Sequence, residues 1–137
     1  MKIIICGSIA AGEEIFDLRD KLKALGHEVE IPTSLKDEFL RNRTEISNEE
    51  KAQDKIKYNL IRGYYEKIKL HDVVLVANVD KRGVKNYIGG NTFLEMGFAY
   101  ILNKKIYCLN PLPDLPYLSE LQGMEPIILK GDLAQIK

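Results

Sequence analysis

The residue most in need of a chemical explanation is Glu95, the one carboxylate inside the apolar run GGNTFLEMGFAYIL at 89–102. Its neighbours Phe93, Leu94, Met96, Phe98, Ala99, Ile101 and Leu102 leave no wide polar face, so a helix here is largely buried. An uncompensated carboxylate in such a place is strongly disfavoured, or takes up a proton. Two readings stand side by side. In one, Glu95 is structural, paired with a cation (Lys105 or Arg62) or exposed at a helix edge. In the other it is held in a cleft for chemistry. Gly97, two residues on, permits close approach of another backbone or of a ligand.

Two glycine-containing segments, GSIAAG at 7–12 and NVDKRGVKNYIGGN at 78–91, each lead into a helix start, where free N–H groups and the helix dipole favour anions. The first lacks the Lys-Ser/Thr ending of a P-loop and neither is G-x-G-x-x-G, so ordinary turn glycines explain either segment taken alone. Lys81, Arg82 and Lys85 are candidates to meet a phosphate, or else a solvated surface cluster. Asn78 and Asp80 are candidates to bond sugar hydroxyls, with an Asx-type turn the competing account of Asp80. His27 and His71 have no ligand-spaced neighbours, so neither a metal nor another cofactor is expected. No Ser-His or Cys-His pair is evident. Catalysis, if present, rests on carboxylates and tyrosines, which points to glycosyl chemistry more than to acyl transfer.

The elements that must position these residues alternate along the chain. KIIIC (2–6) reads as a strand, and 12–26 as a helix with Ile15, Leu18, Leu22 and Leu25 near helical period and a closing Gly26. HEVEIP (27–32) is a second strand. Residues 33–46 form a polar connection with a helical turn around 35–40. Residues 47–71 open on Ser47 with Glu50 three positions on, a capping box, and Ile56, Leu60, Tyr64 and Ile68 recur every four residues, which predicts one long helix. DVVLVANV (72–79) is a central strand, apolar on both faces. After the helix bearing Glu95 come KIYCLN (105–110), a Pro-punctuated connection with a short helix, the strand EPIILK (125–130) and a terminal turn.

Strands alternating with helices imply a single α/β domain over 1–137, a three-layer sandwich around a five-stranded parallel sheet of order 2-1-3-4-5. Ligands of such sheets bind beyond the carboxyl ends of the strands, where the order reverses, which here means the loops after strands 1 and 3. Strand 3 then separates Cys6 from Cys108 by about 10 Å, so the two should not bond and read as buried thiols of a cytoplasmic protein.

Composition narrows the partner. Twenty basic and twenty acidic residues cancel, which removes the basic signature of a nucleic-acid binder. No apolar stretch approaches the roughly 18 residues needed to span a bilayer. A small molecule or another copy of the chain is the expected partner.

Three segments together, IIICGSIAAG, HDVVLVANV and GGNTFLEMGFAYILNKKIYCL, resemble the nucleoside 2-deoxyribosyltransferase family, particularly its 2'-deoxynucleoside 5'-phosphate N-hydrolase branch. The resemblance spans about 2–110. It implies a Rossmann-like fold, a homodimer or higher oligomer, and a nucleoside or nucleotide substrate. It also implies that Glu95 is a nucleophile attacking C1' of a deoxyribose. Ser8 and the amides of Gly7, Ile9 and Ala10 would hold the sugar or its 5'-phosphate, with Gly89, Gly90 and Asn91 closing the other side and Asn78 nearby. The chain departs from the branch at Ala10, where it carries Arg, at Ile4, where it carries an active-site Tyr, and at Tyr64, where it carries an Asp that assists at the base. Tyr64 or Tyr65 would then protonate or orient the base.

Overall fold

A computed structural model describes residues 1–137. Five short strands, β1 (Lys2–Cys6), β2 (Glu28–Glu30), β3 (Val73–Val76), β4 (Lys105–Cys108) and β5 (Ile127–Ile128), form one sheet of order β2-β1-β3-β4-β5. Every neighbouring pair is parallel. The expected α/β fold and strand order are therefore the observed ones. Cys6, Val76, Cys108 and Ile128 lie in one row across the sheet, so β3 separates the two buried, unbonded cysteines.

The central strands β1 and β3 are apolar on both faces because both faces are covered. Ile3 and Ile5 pack against Ile15, Leu18 and Leu22 of α1 (Gly12–Ala24) on one side. Ile4 and Cys6 turn to the other side, toward Tyr64 and Ile68 of α5 (Leu60–Lys69) and Met96 and Ala99 of α6 (Gly90–Ile101). The side-chain alternation of a strand thus sorts β1 into two cores.

The connection after β2 holds two single-turn helices, α2 (Thr33–Lys36) and α3 (Glu38–Arg41), where one turn was expected. A larger difference follows. The long helix predicted over 47–71 is two, α4 (Asn48–Lys57) and α5, with Asn59 between them in the left-handed region at φ 50°. Asn tolerates that conformation better than most residues. At 3.6 residues per turn a spacing of four precesses by about 40° a step, so Ile56 lies roughly 120° around from Ile68. It cannot share the buried stripe, and it is 73% exposed. α4 buries no residue at all. The expected capping box of Ser47 and Glu50 forms its start, and the Arg43 guanidinium ties it down through two bonds to Asp54 at 2.7 and 3.1 Å. A seventh helix, the short α7 (Leu118–Gly123), sets Leu121 under the α6 side of the sheet.

Candidate active site

α6 places the carboxylate. Its buried residues Thr92, Glu95, Met96 and Ala99 fall at i, i+3, i+4 and i+7, so Glu95 belongs to the stripe that faces the sheet. It is 7% exposed and sits beside Cys6, the last residue of β1. No lysine or arginine lies within ion-pairing distance of it. The two candidate partners are elsewhere: Lys105 donates to the Lys137 carbonyl at 3.5 Å and Arg62 is exposed. Burial dominates the carboxyl's chemistry and pushes its pKa from 4.5 to about 8, against the opposing pull of the Cys6 S–H donor, the Lys55 charge and the Asn91 amide. Asn91 Nδ2 reaches Glu95 Oε2 at 3.4 Å. In the free protein at neutral pH the carboxyl is mostly protonated.

A small open cleft leads to Glu95. Residues 32–34 after β2, Lys55 of α4, Leu60 and Tyr64 of α5, and Asn91 with Glu95 of α6 line it. Tyr64 is a wall with its proton engaged: the buried hydroxyl donates to the Ile5 carbonyl, and burial holds its pKa well above the ordinary phenol value. That engagement opposes the expected role of Tyr64 as acid to the base, since the proton is spent on the backbone. Tyr65, next in sequence, instead meets Phe98 edge to face at 5.4 Å.

The remaining expected site residues divide. Asn91 joins Glu95 and Tyr64 in the cleft, whereas Gly89 is the N-cap of α6 and Gly90 its exposed first residue, neither of them in the cleft wall. Gly7, Ser8, Ile9 and Ala10 are also outside it. Gly7 serves packing, for a Cβ there would stand 2.9 Å from Ile15 Cδ1. Ile9 opens a 3₁₀ turn and packs on the α1-side core, and Ala10 faces solvent. Asn78 is fully buried and spent on β4's end: its Nδ2 donates to the carbonyls of Asn110 (2.7 Å) and Pro111 (3.1 Å), and its Oδ1 accepts from the Asn110 N–H at 3.0 Å. A sugar contact from Asn78 would have to break that lock. Asp80 accepts from the Asn86 N–H at 2.9 Å, six residues on, so it closes the loop rather than forming the Asx-type turn that competed with the sugar-binding account.

The cleft therefore opens toward the loop after β2 and toward α4, not between the two glycine segments alone. Lys55, Thr33 and Ser34 line it and are absent from the sequence-based set. A lysine at helical spacing on a polar helix and two hydroxyls in a polar loop carry no signal that separates them from solvated surface.

Fold and site together define a doubly wound, Rossmann-like α/β protein with a buried carboxyl in a cleft at the carboxyl end of a parallel sheet. Among solved structures the chain is similar to that of Clostridium botulinum CMP N-glycosidase, BcmB, with a TM-score of 0.50 and 18% identity over 93% of this chain and 85% of that one. The likeness is one of fold. No protein-family model matches the chain, and no curated protein matches it.

Proposed function

We propose that the protein cleaves or transfers at the N-glycosidic bond of a 2'-deoxynucleoside or its 5'-monophosphate, with Glu95 as nucleophile. The observation that carries this reading is a buried carboxyl without an ion-pair partner, at the end of an open cleft rather than in a salt bridge. The fold of an N-glycosidase and the sequence resemblance agree with it. The ionised Glu95 carboxylate would attack C1' as the C1'–N bond breaks and its electron pair leaves with the base. Water, or a second base, would then take the sugar from the glycosyl-enzyme intermediate, releasing Glu95 with net retention. Incubation with a panel of nucleosides, 2'-deoxynucleosides and their 5'-monophosphates tests this through release of free base. Wild type is expected to release it and Glu95→Ala to lose all release; equal rates for the two would refute the role of Glu95.

A second reading, a nucleotide-binding or sensing module without turnover, is favoured by one observation: Tyr64, standing where the branch has an acid, has its hydroxyl engaged by Ile5. Thermal stabilisation by nucleotides with no free base formed would select it.

A further inference from the structure

Three titratable side chains line the Glu95 cleft: Glu95 itself, Tyr64 and Lys55. Tyr64 is neutral, its hydroxyl held by the Ile5 carbonyl. Lys55, half-buried on α4, is therefore the one cation in a cleft that holds one carboxyl. The other elements around Glu95 add no charge. Cys6 at the end of β1, and Cys108 beyond it on β4, are thiols that burial pushes up and keeps neutral. Asn91 and Thr92 of α6 and residues 32–34 after β2 do not titrate.

No other anion answers Lys55. Side chains on a helix meet at three and four positions apart. Around Lys55 those positions hold Lys51, Ala52, Tyr58 and Asn59, none of them a carboxylate. The nearest acids of α4 turn to Arg43 instead, Asp54 through two bonds at 2.7 and 3.1 Å and Glu50 at 3.9 Å. The Lys55 ammonium accordingly makes no ion pair. The Arg43–Asp54 bonds also anchor α4 one residue before Lys55, although the helix buries nothing of its own. They fix the root of the lysine at the cleft and leave its flexible stem free to turn. In a cleft poor in water an ammonium and a carboxylate attract far more strongly than in bulk solvent.

We infer that Lys55 is the positioning residue for Glu95: its ammonium pairs across the cleft with the carboxylate once the carboxyl proton has passed to solvent, and so holds Glu95 in its ionised form. Asn91 Nδ2 supports the same carboxylate from within α6, at 3.4 Å from Oε2. That the ionised group then attacks C1' rests on the glycosidase reading. The charge of Lys55 already pulls the Glu95 pKa downward in the free protein, against the larger effect of burial. A helix that covers no core is thereby given a task, which is to carry the counter-charge of a buried carboxyl.

Titration of the Glu95 carboxyl by carbon NMR, its signal identified by loss in Glu95→Gln, tests the pairing on the ligand-free protein. The wild-type midpoint is expected near 8. Lys55→Met, which keeps helix propensity, is expected to raise it by about one pH unit, and Lys55→Arg to hold it near the wild-type value. Lys51→Met removes the same charge one turn away, outside the cleft lining, and is expected to leave the midpoint in place. An unmoved midpoint in Lys55→Met, or an equal rise in Lys51→Met, overturns the inference. Release of base reports on the glycosidase reading separately. There the limb of kcat/KM is expected to move up with the midpoint, so that Lys55→Met loses roughly tenfold at pH 7. A raised midpoint with no base released from any substrate keeps the pairing and sinks the glycosidase reading. Base release with a midpoint indifferent to Lys55 does the reverse. A raised KM with the limb unmoved makes Lys55 a substrate contact instead, which also overturns the pairing.

Discussion

Glu95 couples stability to pH, and on the glycosidase reading it would couple activity to pH in the opposite direction. Its carboxyl titrates near 4.5 when the chain is unfolded and near 8 when folded, so between those values the folded chain holds a proton that the unfolded chain has released. Stability therefore falls as pH rises from 4.5 to 8, by up to about 1.4 kcal/mol per unit, and levels off above. A neutral isostere escapes this cost. Glu95→Gln is expected to be about 3 kcal/mol more stable than wild type at pH 7 and no more stable at pH 4, measured by denaturant unfolding. A variant equal to wild type at pH 7 would show the carboxyl to be ionised there already. A nucleophile must be ionised, so kcat/KM of the free enzyme is expected to climb with pH toward a limb near 8. The sequence raised the question of Glu95 from its apolar neighbours alone. It left Lys105 and Arg62 open as candidate partners because pairing across elements has no local signature.

At the scale of elements, Gly7 ends β1 where the chain must pass close to α1. Gly7→Ala sets a Cβ 2.9 Å from Ile15 Cδ1 and 3.4 Å from Ala77 Cβ, and is expected to destabilise by about 1–3 kcal/mol. Trimming the neighbour relieves the clash, so in Ile15→Val the same change costs measurably less; a double-mutant cycle reads the difference. An additive pair would place the strain elsewhere. The strands, α1 and the helix of Glu95 were legible in the sequence, because each buries a face whose period is written in its own residues. The break at Asn59 was not. The four-residue spacing of apolar side chains looked like one stripe, and only the exposed Ile56 revealed that α4 covers nothing. Asn78 misled for a related reason. A buried amide at a strand end suits a ligand or a neighbouring strand equally well until the neighbour's carbonyls are in place.

Across the whole molecule, apolar side chains of α6 and α5 remain exposed. Leu94 and Ile101 of α6 are 48% and 81% exposed, and Ile61 of α5 adds 38%. Leu94, Gly97 and Ile101 fall at i, i+3 and i+7, on the side of α6 away from the sheet. A helix apolar on its outer side as well suits a symmetric contact, and the homodimer expected from the sequence resemblance would cover that side. Light scattering is expected to give a dimer for wild type and a monomer for Leu94→Lys with Ile101→Lys. A monomeric wild type rejects that dimer. No helix of the molecule is long and apolar enough to cross a membrane.

By itself the sequence determined the architecture and the chemical oddity. Apolar strands alternating with amphipathic helices admit a parallel sheet of order 2-1-3-4-5, and a carboxylate on a buried stripe is visible wherever the stripe is. Tertiary structure alone decided on which side of α6 the cleft opens, that Lys55 lines it, and that Tyr64 and Asn78 are engaged by backbone carbonyls. The reason is range. Helical and strand periods are local and are carried by neighbouring residues, whereas a cleft and its electrostatics depend on groups such as Lys55 and Glu95, forty positions apart in the chain.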